Sequence, residues 1–451
     1  DGTVLSKDQI LEKKDLELIF GNLLNSFDIT KVELSSKNNF SFTINKKFKL
    51  KDLKVKTIID LDQLMLKEKY LNLKSFIPNA KEEIKFKNHK IKIDYKKDQL
   101  NIEGNGDILL VDNIEQLSYA IIKDKNKFIF NTKINIKHNP LIIKFLDYEK
   151  KEGVNSMISV NGNLNKNGSI KFKSIALKEN KNKILIENLK LSPAFKINNI
   201  TSVNIDYKNK KNIVNKLNLK KDSSNFFIDG DNLDAVKIIN NIMNSDDESS
   251  SIFQKLNTKV YIKIKKTYID EINYLNDLSG YINFKDNKID DLKLESTFPN
   301  NKKISLTINT NKSLEKITRL FTDYPKPLIK RYDFIKGFED GYLEFNSIKK
   351  NNISNSILVI DDFKVKEIPI FAKLLSLASL QGIADILTGE GIRFTDFEMK
   401  FSNQQNLTKI DEMYAIGPAV SILMDGYIQD KKLVSLRGTL VPATTINRSI
   451  A

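Results

Sequence analysis

The stretch Ile304–Ser305–Leu306–Thr307–Ile308 decides the fold class of this chain. Apolar residues alternate with small polar ones, and such alternation places the two sets on opposite faces of a β-strand. The same pattern recurs elsewhere, for example in Phe40–Ser41–Phe42–Thr43–Ile44. Polar turns such as Lys285–Asp286–Asn287 and Asn161–Gly162–Asn163 separate the runs, which favours antiparallel hairpins over βαβ units. The sequence therefore predicts a mainly β protein with a long, curved antiparallel β-sheet of many short strands.

Composition limits the classes of function. The chain has 451 residues, of which 40% are hydrophobic, so a sizeable core can form. Its net charge of +16 comes from lysines scattered among Asn and Ile. That distribution favours a solvated surface, with weak attraction to anionic lipid headgroups as the alternative. It lacks the concentrated basic patch of a nucleic-acid binder. The chain contains no cysteine, which excludes a disulfide framework and thiol catalysis.

A few segments have helical signals that should interrupt the sheet. Residues 6–25 carry Ser6 and Gln9 at capping-box spacing. The longest predicted helix, Pro369–Thr388, has proline in its first turn and glycine just after its end. Its apolar residues should be buried against the sheet: Leu374, Leu375, Leu380, Ile383 and Leu387. Shorter helices are predicted at Asn139–Tyr148, Ala235–Asn244 and Ser313–Asp323.

The sequence offers no catalytic or metal-binding constellation. His89 and His138 lie far apart, and each is interpreted as an exposed residue at the end of a strand. The segment from Asp229 to Asp234 lacks the EF-hand spacing of glycine and oxygen ligands, so a turn at a strand end is the better interpretation. We therefore predict a protein that is not an enzyme, with no catalytic residues, no metal and no cofactor.

The last ninety or so residues resemble a known family. The resemblance is carried by ordered motifs at Ile360–Val365, Ile368–Leu375, Ala378–Gly382, Leu387–Phe394, Ala415–Ala419, Asp425–Ile428, Leu436–Ala443 and Asn447. In order and spacing these motifs resemble the C-terminal region of AsmA-like proteins, in particular the large YhdP-type members. On this basis we divide the chain into a repetitive antiparallel β region, 1–356, and an AsmA-like C-terminal region, 357–451.

The resemblance implies a bridge-like lipid transfer protein, of which this chain would be a fragment. Such a protein lies in the periplasm of Gram-negative cells and is attached to the inner membrane through an anchor, which here would lie upstream of Asp1. The function implied is a non-enzymatic conduit that moves phospholipid between the inner and outer membranes through an apolar groove. The phospholipid and the inner membrane are the implied partners, nucleic acid is not one, and a partner in the outer membrane is left open.

Strand alternation names the groove candidates. These residues should share one continuous concave face: Phe128, Phe130, Ile134, Ile136, Val203, Ile205, Val260, Ile262, Ile264, Ile282, Phe284, Ile304, Leu306 and Ile308. Two alternatives stay open. The same side chains could fill a closed sandwich core, which alternation alone does not distinguish from a groove. The protein could also be a scaffold that assists outer-membrane protein assembly by offering an edge strand for β-augmentation.

Overall fold

The computed structural model describes residues 1–12, 14–15, 27–68, 73–97, 99–124, 127–239, 255–331, 335–366, 391–430 and 433–442. The protein is mainly β, as predicted: 72% of the structure is strand and 5% is helical. The chain divides into two units, which are described separately. Unit 1 comprises Asp1–Ser223 and Lys237–Lys255, and unit 2 comprises Ser224–Val236 and Leu256–Ala451.

Unit 1 is built from antiparallel strands. They are β1 (Gly2–Ile10), β2 (Phe27–Ile44), β3 (Leu50–Glu68), β4 (Glu83–Lys96), β5 (Gln99–Leu109), β6 (Ile114–Asp124), β7 (Lys127–Ile136), β8 (Leu141–Ile143), β9 (Tyr148–Lys150), β10 (Ser156–Asn165), β11 (Ile170–Glu179), β12 (Asn182–Leu191), β13 (Ile197–Asn199), β14 (Ser202–Lys208) and β15 (Val214–Asp222). Neighbours in sequence pair in order from β1 to β7, after which β7 pairs with β10 and the small β8–β9 hairpin stands apart.

Unit 2 is also built mainly from antiparallel strands. They are β16 (Asn225–Asp234), β17 (Thr258–Tyr268), β18 (Tyr274–Lys285), β19 (Lys288–Thr297), β20 (Lys303–Thr310), β21 (Lys316–Thr322), β22 (Phe338–Lys350), β23 (Ile353–Val365), β24 (Ile392–Gln404), β25 (Leu407–Ile416), β26 (Val420–Gln429) and β27 (Leu433–Pro442). The described residues of this unit also include a short helix, α1 (Lys326–Arg331). From β17 to β27 each strand pairs antiparallel with the next.

One pairing departs from the antiparallel prediction. Strands β16 and β17 are parallel, with Phe226 opposite Val260 and Ile228 opposite Ile262. A parallel pair needs a crossover of about a dozen residues or more, and residues 235–257 provide that length. The turn signals did not predict the parallel pair because they report only tight connections.

Several predicted helices are strands or turns. Residues 313–323 were predicted to be helical, but Lys316–Thr322 is β21, paired on both sides. Asn311 holds the preceding turn, since its side-chain oxygen accepts hydrogen bonds from the backbone N–H groups of Ser313 and Glu315. Two-sided pairing satisfies the backbone of a segment rich in β-branched residues, and this outweighs its helical signal.

Of the other predicted helices, one is wrong and the rest lie partly or entirely outside the described residues. In the segment 139–148, a 3₁₀ turn at Lys144–Leu146 separates two short strands, so an α-helix there is wrong. Residues 6–10 belong to β1, and most of the predicted helix beyond them lies outside the described residues. Residues 236–239 are helical. The predicted helix Pro369–Thr388, with its five apolar residues, lies entirely outside the described residues and stays a prediction.

Two predicted turns lie inside strands. Asn161 and Gly162 belong to β10, where the register with β11 shifts by one residue, so the glycine marks a β-bulge. The segment from Asp229 to Asp234 lies within β16. The domain boundary at residue 357 stays a prediction, and Ile357 itself lies inside β23.

Candidate functional site

The apolar face of unit 1 gathers the six candidates that belong to this unit. In antiparallel sheets, residues opposite each other point to the same face. Ile134 lies opposite Leu117 of β6 and Ile158 of β10. Following the register from β6 to β15 gives one uninterrupted apolar row: Leu117, Ile134, Ile158, Leu177, Ile184, Ile205 and Leu217. Phe128, Phe130, Ile136 and Val203 lie on this face as well. The predicted single concave face for all fourteen candidates stays a prediction.

Burial differs across this face. Ile136 and Ile205 are buried, and they belong to a core cluster with Ile77, Leu141 and Tyr148 from the connecting segments. The candidates Phe128, Phe130, Ile134 and Val203 remain part-exposed. One margin of the face is thus covered by connecting segments, and its middle keeps contact with solvent.

The apolar face of unit 2 gathers the other eight candidates. Ile262 lies opposite Ile228 of β16 and Gly280 of β18, and Leu306 lies opposite Leu294 and Leu320. The row that contains both candidates, here called the central row, runs through Ile228, Ile262, Gly280, Leu294, Leu306, Leu320, Phe345, Leu358, Met399, Met413 and Met424. Val260, Ile264, Ile282, Phe284, Ile304 and Ile308 lie on the same face in neighbouring rows.

The central row is part-exposed, in contrast to the row beside it. Met399 is the one buried residue of the central row, with 7% exposure. The adjacent row contains Ile360 at 0% and Phe397 at 5%, and both belong to a core cluster with Phe363. Ile264 is the one buried unit 2 candidate. Unit 2 therefore contains a packed core at one margin of the face and a band of part-exposed apolar side chains next to it. Part of this band packs against the core: Leu320, Phe345, Leu358 and Met413.

His89 is buried in the apolar face of unit 1, so its interpretation as an exposed strand-end residue is wrong. It is 1% exposed and packs against the rings of Phe86 and Tyr119, with ring centroids 5.7 Å away in each case. Gly106 leaves room for the imidazole, since a Cβ built there would lie 2.5 Å from the ring. Asn88 has a φ of 54° and lies in a register shift, which turns His89 from the polar face to the apolar one. His138, by contrast, is exposed as predicted.

One of the two ring nitrogens of His89 has a hydrogen-bond partner among the described residues, and the other has none. Its Nε2 donates to the carbonyl oxygen of Asp107 at 3.0 Å, while Nδ1 has no partner within the described residues. Burial lowers the pKa of His89 below its usual 6.5, because the cation would lose its hydration, and Asp107 opposes this effect. His89 is thus held neutral by the fold.

A pH-dependent stability follows from this burial. The pKa of His89 is lower in the folded state than in the unfolded state. The contribution of His89 to the free energy of unfolding is therefore complete above about pH 6.5 and is lost as the pH falls below that value. As the pH is lowered from about 7.5 to about 5, we expect the parent to lose more free energy of unfolding than His89→Leu does. Urea unfolding at both pH values measures the difference. His138→Leu is the surface control, and an equal His89→Leu difference at both pH values would contradict the prediction.

Two buried charged side chains, Glu115 and Lys150, bind the turn that follows β7, and we call this pair the polar clamp. Sequence reasoning did not predict it. The Glu115 carboxylate, 2% exposed, accepts hydrogen bonds from the backbone N–H groups of residues 137, 138 and 139 at 2.7 to 2.8 Å. The Lys150 ammonium, 1% exposed, donates to the carbonyl oxygens of residues 136, 137 and 139. One side chain satisfies the N–H groups of the turn and the other its carbonyl groups. No sequence motif predicts this pair, because the two residues are distant in sequence and are brought together only by the fold.

Comparisons with known proteins give no neighbour. No family model, no curated protein and no solved structure matches the chain. The resemblance to AsmA-like proteins therefore stays a prediction. Within the described ranges, no three acidic or histidine side chains converge as they would around a metal ion. No helix among those residues has the length and apolarity required to cross a membrane.

Proposed function

We propose that this protein is a non-enzymatic lipid conduit, and that phospholipid acyl chains lie along its apolar faces. The observation that carries the proposal is the central row of unit 2. It has an apolar side chain on every strand from β16 to β26 except β18, which contributes Gly280, and it is part-exposed at all but one position. With strands ~4.8 Å apart, this row extends roughly 50 Å. Covering such a row with an acyl chain removes apolar surface from water, at about 0.8 kcal/mol per buried CH₂ group.

The exposure of the central row favours an accessible face over a closed sandwich core. Interiors are packed at crystal-like density, and the buried row through Ile360 is an example in the same unit. Large aliphatic side chains such as Ile262 and Leu306 keep solvent contact instead. The location that we propose, the periplasm with attachment to the inner membrane, rests on the family resemblance alone.

Site-specific photo-crosslinking tests this proposal. A photoreactive residue at Ile262 or Leu306 is expected to capture phospholipid in cells. The same residue at Lys263, which is exposed and points to the opposite face, is the matched control and should capture none. Absence of lipid adducts at both inward positions, with a folded protein, would overturn the conduit.

The Ile262→Asp variant gives a second, independent readout. A charge on an accessible apolar wall repels acyl chains, while water still reaches the carboxylate and limits the cost to folding. We therefore expect lipid capture at Leu306 to fall at least tenfold and the urea midpoint to shift only modestly. If Ile262→Asp unfolds the protein, the face is a packed core and the conduit proposal is wrong.

One observation favours the scaffold alternative. In the part of the chain that the structure describes, β27 pairs only with β26, and Leu433, Val434 and Leu436 are exposed on it. A free apolar strand edge can accept another strand. A photoreactive residue at Leu436 that captures a protein, together with no lipid capture at Leu306, would favour the scaffold over the conduit.

A further inference from the structure

The apolar face of unit 2 becomes polar in steps along β20, β21 and β22. The central row contributes Leu306, Leu320 and Phe345, which lie opposite one another. Two residues further along each strand, the next row contains Ile308, Thr318 and Ser347. The row after that contains Thr310, Lys316 and Lys349. At ~3.3 Å per residue, Lys316 lies roughly 13 Å from Leu320 along the strand.

Two lysines of this last row face each other, with Asp290 as the acidic group that acts on Lys316. Lys316 and Lys349 are directly opposite on adjacent strands, where like charges are destabilising. Burial lowers the pKa of Lys316, and Lys349 and Lys288 lower it further, while Asp290 opposes them. In the described part of the chain, neither Lys316 nor Lys349 has an acidic group within ion-pair distance.

The neighbouring residues show that this crowding is particular to the apolar face. Glu315 and Lys350 are adjacent in sequence to the two lysines, and alternation directs them away from the apolar face. They form an ion pair with a 3.1 Å N–O distance. Opposite charges therefore meet on one side of the same two strands, and like charges meet on the side that carries the apolar rows.

We propose that Lys316 and Lys349 bind the phosphate group of a phospholipid whose acyl chains extend over the central row. A phosphate between the two ammonium groups would replace repulsion by charge-assisted hydrogen bonds. The lysines lie at the margin of the part-exposed apolar rows, with hydroxyl side chains between. This order of charge, hydroxyl and hydrocarbon is complementary to a phospholipid and not to free phosphate. The inference rests on the proposed function and identifies where the headgroup lies.

The test compares two photoactivatable lipids with the same acyl chains, a phosphatidylglycerol and a diacylglycerol that lacks the phosphate. The full chain is incubated with vesicles that carry one or the other. Lys316→Gln/Lys349→Gln is expected to lower phosphatidylglycerol capture at least tenfold and to leave diacylglycerol capture unchanged. Lys350→Gln makes the same type of substitution at one position on the opposite face and should alter neither. Because the double variant removes a repulsion, its thermal midpoint should not fall below that of the parent.

The remaining outcomes separate this inference from the proposed function. Unchanged phosphatidylglycerol capture by the double variant, or equal loss of both lipids, overturns the lysine site and leaves the conduit in place. If the parent captures neither lipid, the conduit and the lysine site both fail. Inorganic phosphate at millimolar concentration should not displace phosphatidylglycerol. Displacement would identify a phosphate-ion site and overturn the lipid assignment.

Discussion

The Ile360→Asp variant is expected to unfold unit 2, whereas Leu306→Asp is expected to leave it folded. Ile360 is 0% exposed and lies in the core cluster with Phe363 and Phe397. A carboxylate there would lose its water without gaining a partner, which should cost more than about 4 kcal/mol. Leu306 is part-exposed, so its aspartate keeps some hydration, and the expected cost is about 1 to 2 kcal/mol.

Denaturant unfolding of both variants measures this contrast. Ile360→Val is the matched control for the buried position, since it removes one methylene without adding charge and should cost about 0.5 to 1.5 kcal/mol. Similar large losses for Leu306→Asp and Ile360→Asp would mean that the central row is packed as tightly as the core. That result would favour the closed sandwich over an accessible face.

The Glu115→Gln variant should destabilise unit 1 by about 3 to 5 kcal/mol, because it removes one side of a buried charged clamp. The carboxylate accepts from three backbone N–H groups and from the Asn139 side chain. An amide has only one acceptor oxygen, and its NH₂ group would confront the N–H donors. The Lys150 ammonium would also stay buried without the charge of Glu115, which acts on it more strongly than the remaining Glu179 and Glu152.

Glu103→Gln is the control for this experiment. Glu103 is exposed on β5, so the same change there should alter stability by no more than about 0.5 kcal/mol. Loss of hydrogen-exchange protection at residues 137–139 in Glu115→Gln would localise the effect to the turn after β7. If Glu115→Gln and Glu103→Gln behave alike, the clamp contributes nothing measurable to folding.

Sequence reasoning reached the fold class and the grouping of the candidates through one physical rule. Because side chains on a strand alternate between faces, Ile304, Leu306 and Ile308 had to point the same way once the segment formed a strand. The register between strands then follows from keeping apolar rows together. For the same reason the fourteen candidates fall on the apolar face of whichever unit contains them.

The rule failed in two situations. One is a register shift that interrupts the alternation, and the other is a segment in which pairing with neighbouring strands outweighed a local preference for helix. A register shift beside Asn88 interrupts the alternation between Phe86 and His89. His89 therefore shares the apolar face with Ile91 instead of pointing away from it. The segment at Lys316–Thr322 became a strand because β20 and β22 offered hydrogen bonds on both sides. Both outcomes depend on neighbours distant in sequence.

The sequence by itself determined which residues are apolar, how they alternate, and hence that each unit presents one apolar face. Only the tertiary structure decided how accessible that face is. Ile360 and Leu306 have the same pattern in sequence, yet one is buried in a core and the other is part-exposed. The reason is that alternation fixes the direction of a side chain, whereas burial depends on which distant segments pack over it. The facing of Lys316 and Lys349 likewise depends on the register between two strands.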